Sequence, residues 1–517
     1  MELKINRETV PAAESIFDGV QEQGAELDYI LPDYYPDIFR LVRCEAVPSV
    51  TDWEINGNRL TYSLRCDIRI LYCGEDGAIQ CVTQQQSFTK SAELCRECTM
   101  QQADVNISTR AGRVSFRAVN KRRLDIRAAI SVKICVQCER TQEVVSDAFG
   151  MNIQLKKVPI CFTSSRLHTD KMIQISGDAE LSQAQPDVRA VLLSRCSPGD
   201  CELKLISGKL LAKGEAEIWL LYSADTESGD IEEMTFRVPY SQIIELDGVD
   251  DTYECSVSAE TVSCEISPSA DRSGQERLLK CDMELRLRCR AVKTASVMAA
   301  QDAFSTSYPC EVTVSEITAE QLPAVHTGSF RHSVKLCQGE ELPEKVFSVW
   351  CSPGNVSARL SDDGSSAVIS GMLTFSAAAR DSSGSMTMPD RTETFENSIP
   401  VSGIPQGSPV AAKIAVSGVS YSISPEGVLT ADADISARVT SGGSGKVRAV
   451  SDIDVDSSVK KQRDGDYAVK LYFGAEDESV WDIAKRFSTS AAAVAEENDI
   501  TGDRLEKGGM ILIPMTD

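Results

Sequence analysis

Apolar and polar residues alternate with a period of two over long parts of the chain. The segments 124–134, 279–289 and 429–439 each carry an apolar or small side chain at every second position. Such alternation is typical of β-strands with one buried face. Polar segments that contain glycine, such as 73–77 and 381–384, separate the alternating stretches and predict turns. The pattern predicts a mainly β fold.

Similar segments recur along the chain, which predicts internal repeats. Both copies of one segment contain Pro-Asp followed by a β-branched residue, and both copies of the other are strand-like. The matching segments are 31–42 with 181–192 and 60–72 with 210–222, and a weaker third copy lies at 342–346 and 368–380. We predict three tandem β-sandwich-like repeats, at 1–150, 151–312 and, more divergent, 313–455.

The Pro36-Asp37 element of the first repeat has the features of a helix start. Proline presets φ for a first helical turn, and a carboxylate at the next position favours the positive end of the helix. Ile38, Leu41 and Val42 would then share one face. We therefore expect a short helix that closes one end of the sandwich. A functional role for Asp37 would need a base or metal ligand beside it, and the neighbouring sequence contains neither.

The last 50 or so residues have a different pattern, which predicts a small α+β module at 467–517 behind a polar linker at 456–466. A short strand is followed by a helix with apolar residues spaced i, i+3, i+4 and i+7, then by a second helix and a closing strand. The predicted elements are strand 469–473, a helix capped by Ser479 with Val480, Ile483, Ala484 and Phe487 inward, helix 491–497 capped by Ser490, and strand 510–513.

The module resembles a LysM domain over its whole length. The residues that carry the resemblance are 479–487, Ser490, Val494, Asn498, Ile500 and 508–514. The resemblance implies a βααβ fold and, for most members, a groove for N-acetylglucosamine polymers between the loop after the first strand and the loop before the last. The corresponding groove residues here are Asp477, Glu478, Ser479, Asn498, Asp499 and Ile500.

Two departures bear on this groove. Asp477-Glu478-Ser479 stands where glycan-binding members have Gly-Asp-Thr, and Asn498-Asp499-Ile500 stands where they have Asn-Gly-Leu. Replacing glycine restricts the backbone, and the added carboxylates crowd the groove. These changes weaken a glycan-binding interpretation without excluding it, because carboxylates also hydrogen-bond sugar hydroxyls.

The three upstream repeats, with their Pro-Asp element, resemble the SPOCS-type domain of sporulating Firmicutes. Three such repeats followed by one LysM domain is similar to the arrangement of clostridial spore-coat morphogenetic proteins. The resemblance implies a non-catalytic scaffold in the mother cell, at the forespore surface, that docks the ATPase of the coat basement layer and contacts other coat proteins. The alternative is an adaptor that binds peptidoglycan in the cell wall or cortex.

Trp481 is the sharpest candidate for contact with a partner protein. It lies one position from Val480 and off the apolar stripe of the predicted helix, so we expect an exposed indole. Large aromatic side chains are enriched at the centres of protein interfaces. The alternative is that Trp481 packs over the first strand. The polar residues expected around it are Lys470, Tyr472, Asp482 and Arg486.

Charge and composition narrow the function further. The chain has 53 Lys and Arg against 77 Asp and Glu, a net charge of −24, which disfavours nucleic acid and anionic membranes as partners. Neither a secretory signal nor an apolar run of about 18 residues is visible, so we expect a cytoplasmic protein without membrane insertion. With three histidines and none of the common catalytic or nucleotide-binding motifs, we expect no enzymatic activity and no cofactor.

The 18 cysteines suit a reducing compartment, in which most would be free thiols inside strands. Two pairs have the spacing of metal ligands: Cys95 with Cys98, and Cys135 with Cys138. Four thiolates so placed could hold Zn²⁺, but the separation of the pairs and the strand pattern around the second one argue against it. A zinc site is the weaker interpretation.

Overall fold

The computed structural model describes residues 2–75, 77–206, 208–226, 229–271, 274–320, 322–404, 408–442, 444–462 and 467–515. Strands dominate these residues, so the predicted mainly β fold is confirmed. The elements form three successive groups of strands, which we call unit 1, unit 2 and unit 3, and a small C-terminal module.

Unit 1 consists of two antiparallel sheets whose apolar faces pack together. Its strands are β1 (Lys4–Ile30), β2 (Ile38–Asn56), β3 (Arg59–Gly74), β4 (Ile79–Glu93), β5 (Ala103–Asn120) and β6 (Arg123–Phe149). The sheet orders are β1-β6-β5 and β2-β3-β4. The core between them contains Tyr62 and Ile68 from one sheet and Ile130 from the other. Alternate residues of 124–134 point into this core, as the periodicity predicted.

Unit 2 has the same two-sheet construction. Its strands are β7 (Ile153–Glu180), β8 (Val188–Pro198), β9 (Glu202–Ile206), β10 (Lys209–Ala224), β11 (Ile231–Glu245), β12 (Glu254–Ser269) and β13 (Leu278–Ser305). One sheet has the order β12-β13-β7, and the other has the order β11-β10-β8 with β9 also on β10. Leu220 and Leu285, one from each sheet, are among the fully buried core residues.

Unit 3 differs because its outermost strands form a separate ribbon. Its strands are β14 (Cys310–Glu320), β15 (Val325–Gln338), β16 (Lys345–Leu360), β17 (Ser366–Arg380), β18 (Met386–Thr387), β19 (Asp390–Pro400), β20 (Val410–Ile423), β21 (Val428–Ser441) and β22 (Ser444–Val455). Two sheets, β15-β21-β20 and β16-β17-β18 with β19 on β17, enclose a core around Phe375 and Ile435. The ribbon is β14 paired with β22.

The three units are joined through two further groups of buried apolar residues, which we call the shared cores. In the first, Leu71 of unit 1, Leu221 of unit 2 and Trp350 of unit 3 belong to one cluster. The second lies where the far ends of β1, β6, β7 and β13 meet the β14–β22 ribbon. It includes Val144, which is fully buried, and Phe162. Since each shared core takes side chains from all three units, the units pack as one body.

Polar contacts reinforce these junctions. Arg286 of β13 is 4% exposed and donates to the backbone carbonyls of Val50 and Thr51, both at 3.0 Å. Its guanidinium lies 4.3 Å from the ring centroid of Trp53. This arginine ties unit 2 to unit 1 by hydrogen bonds and a cation–π contact.

The Pro-Asp element is a turn that leads into a strand, so the predicted helix is wrong. β2 begins at Ile38, directly after the turn. Arg122 lies in the turn between β5 and β6. It donates to the Asp37 carboxylate at 2.7 Å and to the Pro32 carbonyl at 2.7 Å. These contacts hold the turn in place, so no helical hydrogen bonds are needed.

Unit 2 repeats this arrangement, which we call the Pro-Asp clamp. Arg277 donates to Asp187 at 2.6 Å and to the Ser182 carbonyl at 2.7 Å. In both units a tyrosine hydroxyl donates to the proline carbonyl, from Tyr72 at 3.0 Å and from Tyr222 at 3.4 Å. The carboxylate therefore has a structural partner distant in sequence.

The C-terminal module has the element order strand, helix, helix, strand. Its elements are β23 (Val469–Gly474), α1 (Val480–Phe487), α2 (Ala491–Glu497) and β24 (Gly509–Pro514). Ser479 caps α1 by accepting from the backbone N–H of Asp482 at 3.4 Å, whereas the Ser490 side chain makes no capping bond to α2. Of the predicted linker 456–466, residues 463–466 lie outside the described residues, and Lys461 is bound to the body.

Candidate functional site

The C-terminal module builds its own small core from both helices and β24. Val480, Ile483 and Ala484 of α1 are buried, as the predicted stripe requires, and Ile513 of β24 is fully buried with them. Phe304, the penultimate residue of β13 in unit 2, belongs to the same cluster. The module therefore shares part of its core with the β body.

Trp481 is buried, so the predicted exposed indole is wrong. Its side chain lies between the module and the body and is 9% exposed. The indole N–H donates to Asp302 Oδ2 at 2.8 Å, and the ring packs edge-on against Phe304 with centroids 4.9 Å apart. Unit 2 covers a second side of α1, so this helix is buried on two sides. The i, i+3, i+4, i+7 spacing of apolar residues predicted only the side that faces the core of the module. Its acceptor and ring partner lie on β13, not on the first strand of the module.

The carboxylate of Asp302 holds this contact together. Lys485, one turn after Trp481, donates from Nζ to both carboxylate oxygens at 2.7 Å. Burial by itself raises the pKa of Asp302, but the hydrogen bonds from Lys485 and Trp481 outweigh it and lower the pKa below its usual value. Lys461 adds a bond to the Ser305 carbonyl at 2.7 Å. We call the contact of Trp481 and Lys485 with Asp302 and Phe304 the latch.

The other predicted partner-contact residues group on a different side of the module. Tyr472 accepts from Arg486 Nη1 at 2.7 Å and donates to Glu478 Oε1 at 2.9 Å. The ammonium of Lys470 lies 5.2 Å from the ring centroid of Phe487. The structure therefore brings Lys470, Tyr472 and Arg486 into one neighbourhood and separates them from Trp481, which faces the body.

Asp482, the remaining predicted partner-contact residue, is exposed in the first turn of α1. Its backbone N–H donates a hydrogen bond to the side chain of the cap residue Ser479. A carboxylate in the first turn of a helix stabilises the positive end of the helix dipole. Stabilisation of α1 is therefore a sufficient reason for an aspartate at position 482.

The two loops predicted to form a glycan groove are bonded to each other. The Asp477 N–H donates to the Leu505 carbonyl at 2.9 Å, and the Leu505 N–H donates to the Glu478 carbonyl at 3.0 Å. Arg504 closes the same edge by donating to Asp477 Oδ2 at 3.0 Å. The backbone N–H groups of Asp477 and Leu505 are therefore used within the module and are not free to donate to a sugar.

The residues after α2 also have internal partners. Asn498 donates to the carbonyls of Val494 at 2.8 Å and Leu512 at 2.7 Å, and its Oδ1 accepts from the Leu512 N–H at 2.7 Å. Ile500 packs against the module core. Asp499 is exposed in a left-handed conformation with φ of 52°. Of the three residues, Asp499 alone is exposed.

The cysteine pairs do not assemble a metal site. Cys98 and Cys138 are buried in contact with each other, while Cys95 is exposed and Cys135 is half-buried. Across the part of the chain that the structure describes, no group of three or more His, Cys, Asp or Glu side chains could hold a metal ion. The four-thiolate zinc site is therefore not formed by these residues.

An exposed apolar surface on the module was missed by the sequence reasoning. It is the outer sheet face, which we define as Val469, Leu471 and Phe473 of β23 with Met510 of β24. The alternation in 469–473 was visible, but both sets of alternating positions contain large side chains. Sequence periodicity therefore could not tell which set the helices cover.

A family model matches part of unit 2. Residues 187–267 match the model described as SipL, SPOCS domain. The matched segment begins at Asp187 of the Pro-Asp clamp and ends within β12 of unit 2. Over this segment the chain is similar to SipL-type proteins, as the resemblance predicted, and the domain indicates a sporulation-related coat protein.

The other comparisons add no relative. No curated protein and no solved structure matches the chain. Among the described residues, neither helix has the length and apolar character needed to cross a membrane.

Proposed function

We propose that this protein is a non-catalytic scaffold of spore coat assembly in the mother cell. In this proposal units 1 to 3 are SPOCS-type repeats, and the C-terminal module is a LysM-type domain. The module docks the ATPase of the coat basement layer at the forespore surface, and the body contacts other coat proteins.

The observation that carries this proposal is the SPOCS match in a body that contacts the C-terminal module through the latch. The latch fixes α1 on unit 2 through Asp302 and Phe304. A scaffold that positions one protein relative to another benefits from a fixed angle between its binding surfaces, because a partner then pays less ordering entropy on binding. A module fixed to the β body supports this role better than a tethered one.

The geometry of the module favours a protein partner over a glycan. The two predicted groove loops are bonded to each other, by Arg504 to Asp477 and by Leu505 to Asp477 and Glu478. The outer sheet face instead offers exposed apolar side chains, a feature of protein interfaces. These two observations support the adaptor interpretation of the module.

Two buried cysteines of unit 1 are poorly suited to nucleophilic catalysis. Burial raises the pKa of Cys44 to about 12 and that of Cys66 to about 11. The thiolate is the nucleophilic form of cysteine, so these thiols are poor nucleophiles at neutral pH. Both lie in the core of unit 1, which is a packing role.

Binding of the purified full chain to the coat ATPase of the same genome tests the proposal. We expect a complex with a Kd of about 10 μM or tighter, which corresponds to a binding free energy of about −7 kcal/mol or more favourable. Peptidoglycan from the same cells is tested in parallel by co-sedimentation with the full chain. A fluorescent fusion expressed during sporulation is expected to surround the forespore.

Three results would contradict the proposal. The first is no binding to the ATPase, and the second is enrichment on peptidoglycan above that of a control protein of similar charge. The third is a fusion that stays diffuse in the mother cell while coat assembly proceeds. Circular dichroism of the protein preparation used in both assays checks that the chain is folded.

A further inference from the structure

The outer sheet face is a continuous apolar strip. The exposed fractions are 43% for Val469, 62% for Leu471, 73% for Phe473 and 70% for Met510. Phe473 lies directly opposite Met510 in the antiparallel register, and Leu471 lies opposite Leu512. Side chains opposite each other on one face are in contact range, so these residues form one patch.

The fold of the module does not require this strip. The alternate residues of the two strands, including Tyr472 and Ile511, face the helices and supply the core contacts. Tyr472 packs edge-on against Phe487 with ring centroids 5.2 Å apart. A sheet with one face on helices and one in water ordinarily carries polar residues on the wet face. Leucine, phenylalanine and methionine there indicate a surface that is covered by something else.

Unit 2 does not cover it. The body contacts the module through Trp481 and Lys485 of α1, at Asp302 and Phe304. The residues of the outer sheet face keep their large exposed fractions with the body in place. The latch therefore removes Trp481 from the accessible surface and leaves the outer sheet face open.

Charge at one end of the strip indicates the chemistry of the occupant. Beyond Phe473 and Met510 lie the loops 475–478 and 503–507, which contain five carboxylates and two cations. Two of the carboxylates are paired within the module, Asp477 with Arg504 at 3.0 Å and Glu478 with Arg486 at 3.4 Å. The excess negative charge at this end therefore comes from the exposed side chains of Glu476, Asp503 and Glu506. Complementary potential guides and orients docking at an interface, so the ligand should carry positive charge at this end.

We propose that the outer sheet face docks a segment of a partner protein that presents bulky apolar side chains flanked by lysine or arginine. A second copy of this chain fits less well, because it presents an equally acidic module and carries the same net charge of −24. The inference rests on the proposed function for the identity of the partner, the coat ATPase, and on the outer sheet face for the mode of binding.

Site-specific photocrosslinking in sporulating cells tests the inference on the full chain. The photoreactive residue p-benzoyl-L-phenylalanine replaces Leu471, and in a control strain it replaces Tyr421 of β20, which is 44% exposed on unit 3. Mass spectrometry identifies the peptide attached at position 471. We expect a peptide with large apolar residues and lysine or arginine, attached at position 471 and not at 421.

The outcomes separate this inference from the proposed function. A peptide of that chemistry from the coat ATPase supports both, whereas one from another protein supports the docking surface and overturns the ATPase as its partner. Attachment to a second copy, to an acidic or fully polar segment, or to no protein at all overturns the docking surface.

A pair of variants measures what the surface contributes to affinity. Leu471→Thr/Phe473→Thr keeps residues that favour strands and removes most of the exposed apolar side-chain area. We expect it to weaken binding to the partner by at least about 30-fold, since large apolar anchors dominate interface energies. Tyr421→Thr/Ile423→Thr, at positions 44% and 47% exposed, is the matched control and should bind as the unchanged protein does. Equal affinity of both variants would refute the inference.

Discussion

Replacing Asp302 with alanine should release the C-terminal module from the β body. Asp302→Ala removes the acceptor of the Trp481 N–H at 2.8 Å and of Lys485 at 2.7 Å. It also removes the acceptor of the Ala303 backbone N–H at 2.9 Å. The apolar core of the module and the backbone pairing of β13 with β7 use other atoms and stay in place. The change therefore tests the latch and leaves the fold of each part intact.

The expected effect follows from two contacts. The Lys485 side chain is 44% exposed and that of Asp302 is 27% exposed, so screening limits their ion pair to about 0.5–1 kcal/mol. The indole N–H of Trp481 stays buried without an acceptor, which costs about 1–3 kcal/mol. Together these weaken docking by about 1.5–4 kcal/mol, or about 10- to 800-fold in the docking equilibrium.

Fluorine NMR of protein labelled with 5-fluorotryptophan can follow the latch directly. The chain has four tryptophans, and the spectrum of Trp481→Phe assigns the resonance of the latch. In a urea titration we expect the Trp481 resonance of Asp302→Ala to reach its exposed position at lower urea than in the wild type. Resonances from Trp53, Trp219 and Trp350 should move together at higher urea, when the body unfolds.

Asp147 provides a matched control. It precedes the end of β6 as Asp302 precedes the end of β13, its carboxylate accepts from the next backbone N–H at 3.0 Å, and it pairs with Lys157 at 2.9 Å. Asp147→Ala should leave the Trp481 transition unchanged. If Asp302→Ala and Asp147→Ala gave the same Trp481 transition as the wild type, the latch would not hold the module.

Three further predictions concern the body. Asp187→Asn should lower the free energy of unfolding by about 1–2 kcal/mol, since it weakens the charge-assisted bonds of the Pro-Asp clamp, and urea denaturation followed by circular dichroism measures it; an unchanged midpoint would contradict the clamp. Arg286→Met should cost about 2–4 kcal/mol by leaving two carbonyls unpaired and losing the Trp53 stacking, whereas Arg237→Met on an exposed pair should cost less than about 1 kcal/mol. Burial raises the pKa of Cys44 to about 12, so the folded state holds its proton longer than the unfolded chain, and stability should be full below about pH 9 and fall as the pH rises towards 12. Cys44→Ala should flatten this fall in urea midpoints between pH 8 and 10.5, and parallel curves would contradict it.

The sequence predicted the strands of the body better than their partners. Period-two alternation marks a buried face whatever lies across from it, so segments such as 124–134 were correctly assigned to strands. The helix predicted at the Pro-Asp element was wrong because proline followed by aspartate begins a turn as readily as a helix. The hydrogen bond from Arg122 to Asp37 stabilises the turn, and Arg122 lies 85 residues after Asp37.

The same limit applies to the C-terminal module. Its helices and strands lie where local periodicity placed them, because each depends on residues within one or two turns. Trp481 depends on Asp302, 179 residues earlier in the chain, and a helical stripe carries no information about a second surface at that distance. The outer sheet face was hidden for a related reason, since either set of positions in 469–473 could have met the helices.

The shared cores have a consequence for how the chain folds during synthesis on the ribosome. Unit 1 can pair its strands once residue 149 has emerged, but Val10 and Val144 find their last neighbours only when β22 is made. Synthesis runs at about 5–20 residues per second and domains tend to fold in order. For the time needed to add the remaining strands, the nascent protein therefore displays the apolar ends of β1 and β6 to the cytosol. Ribosome-associated chaperones should meet this protein between the completion of unit 1 and that of unit 3, and chains truncated before β22 should aggregate.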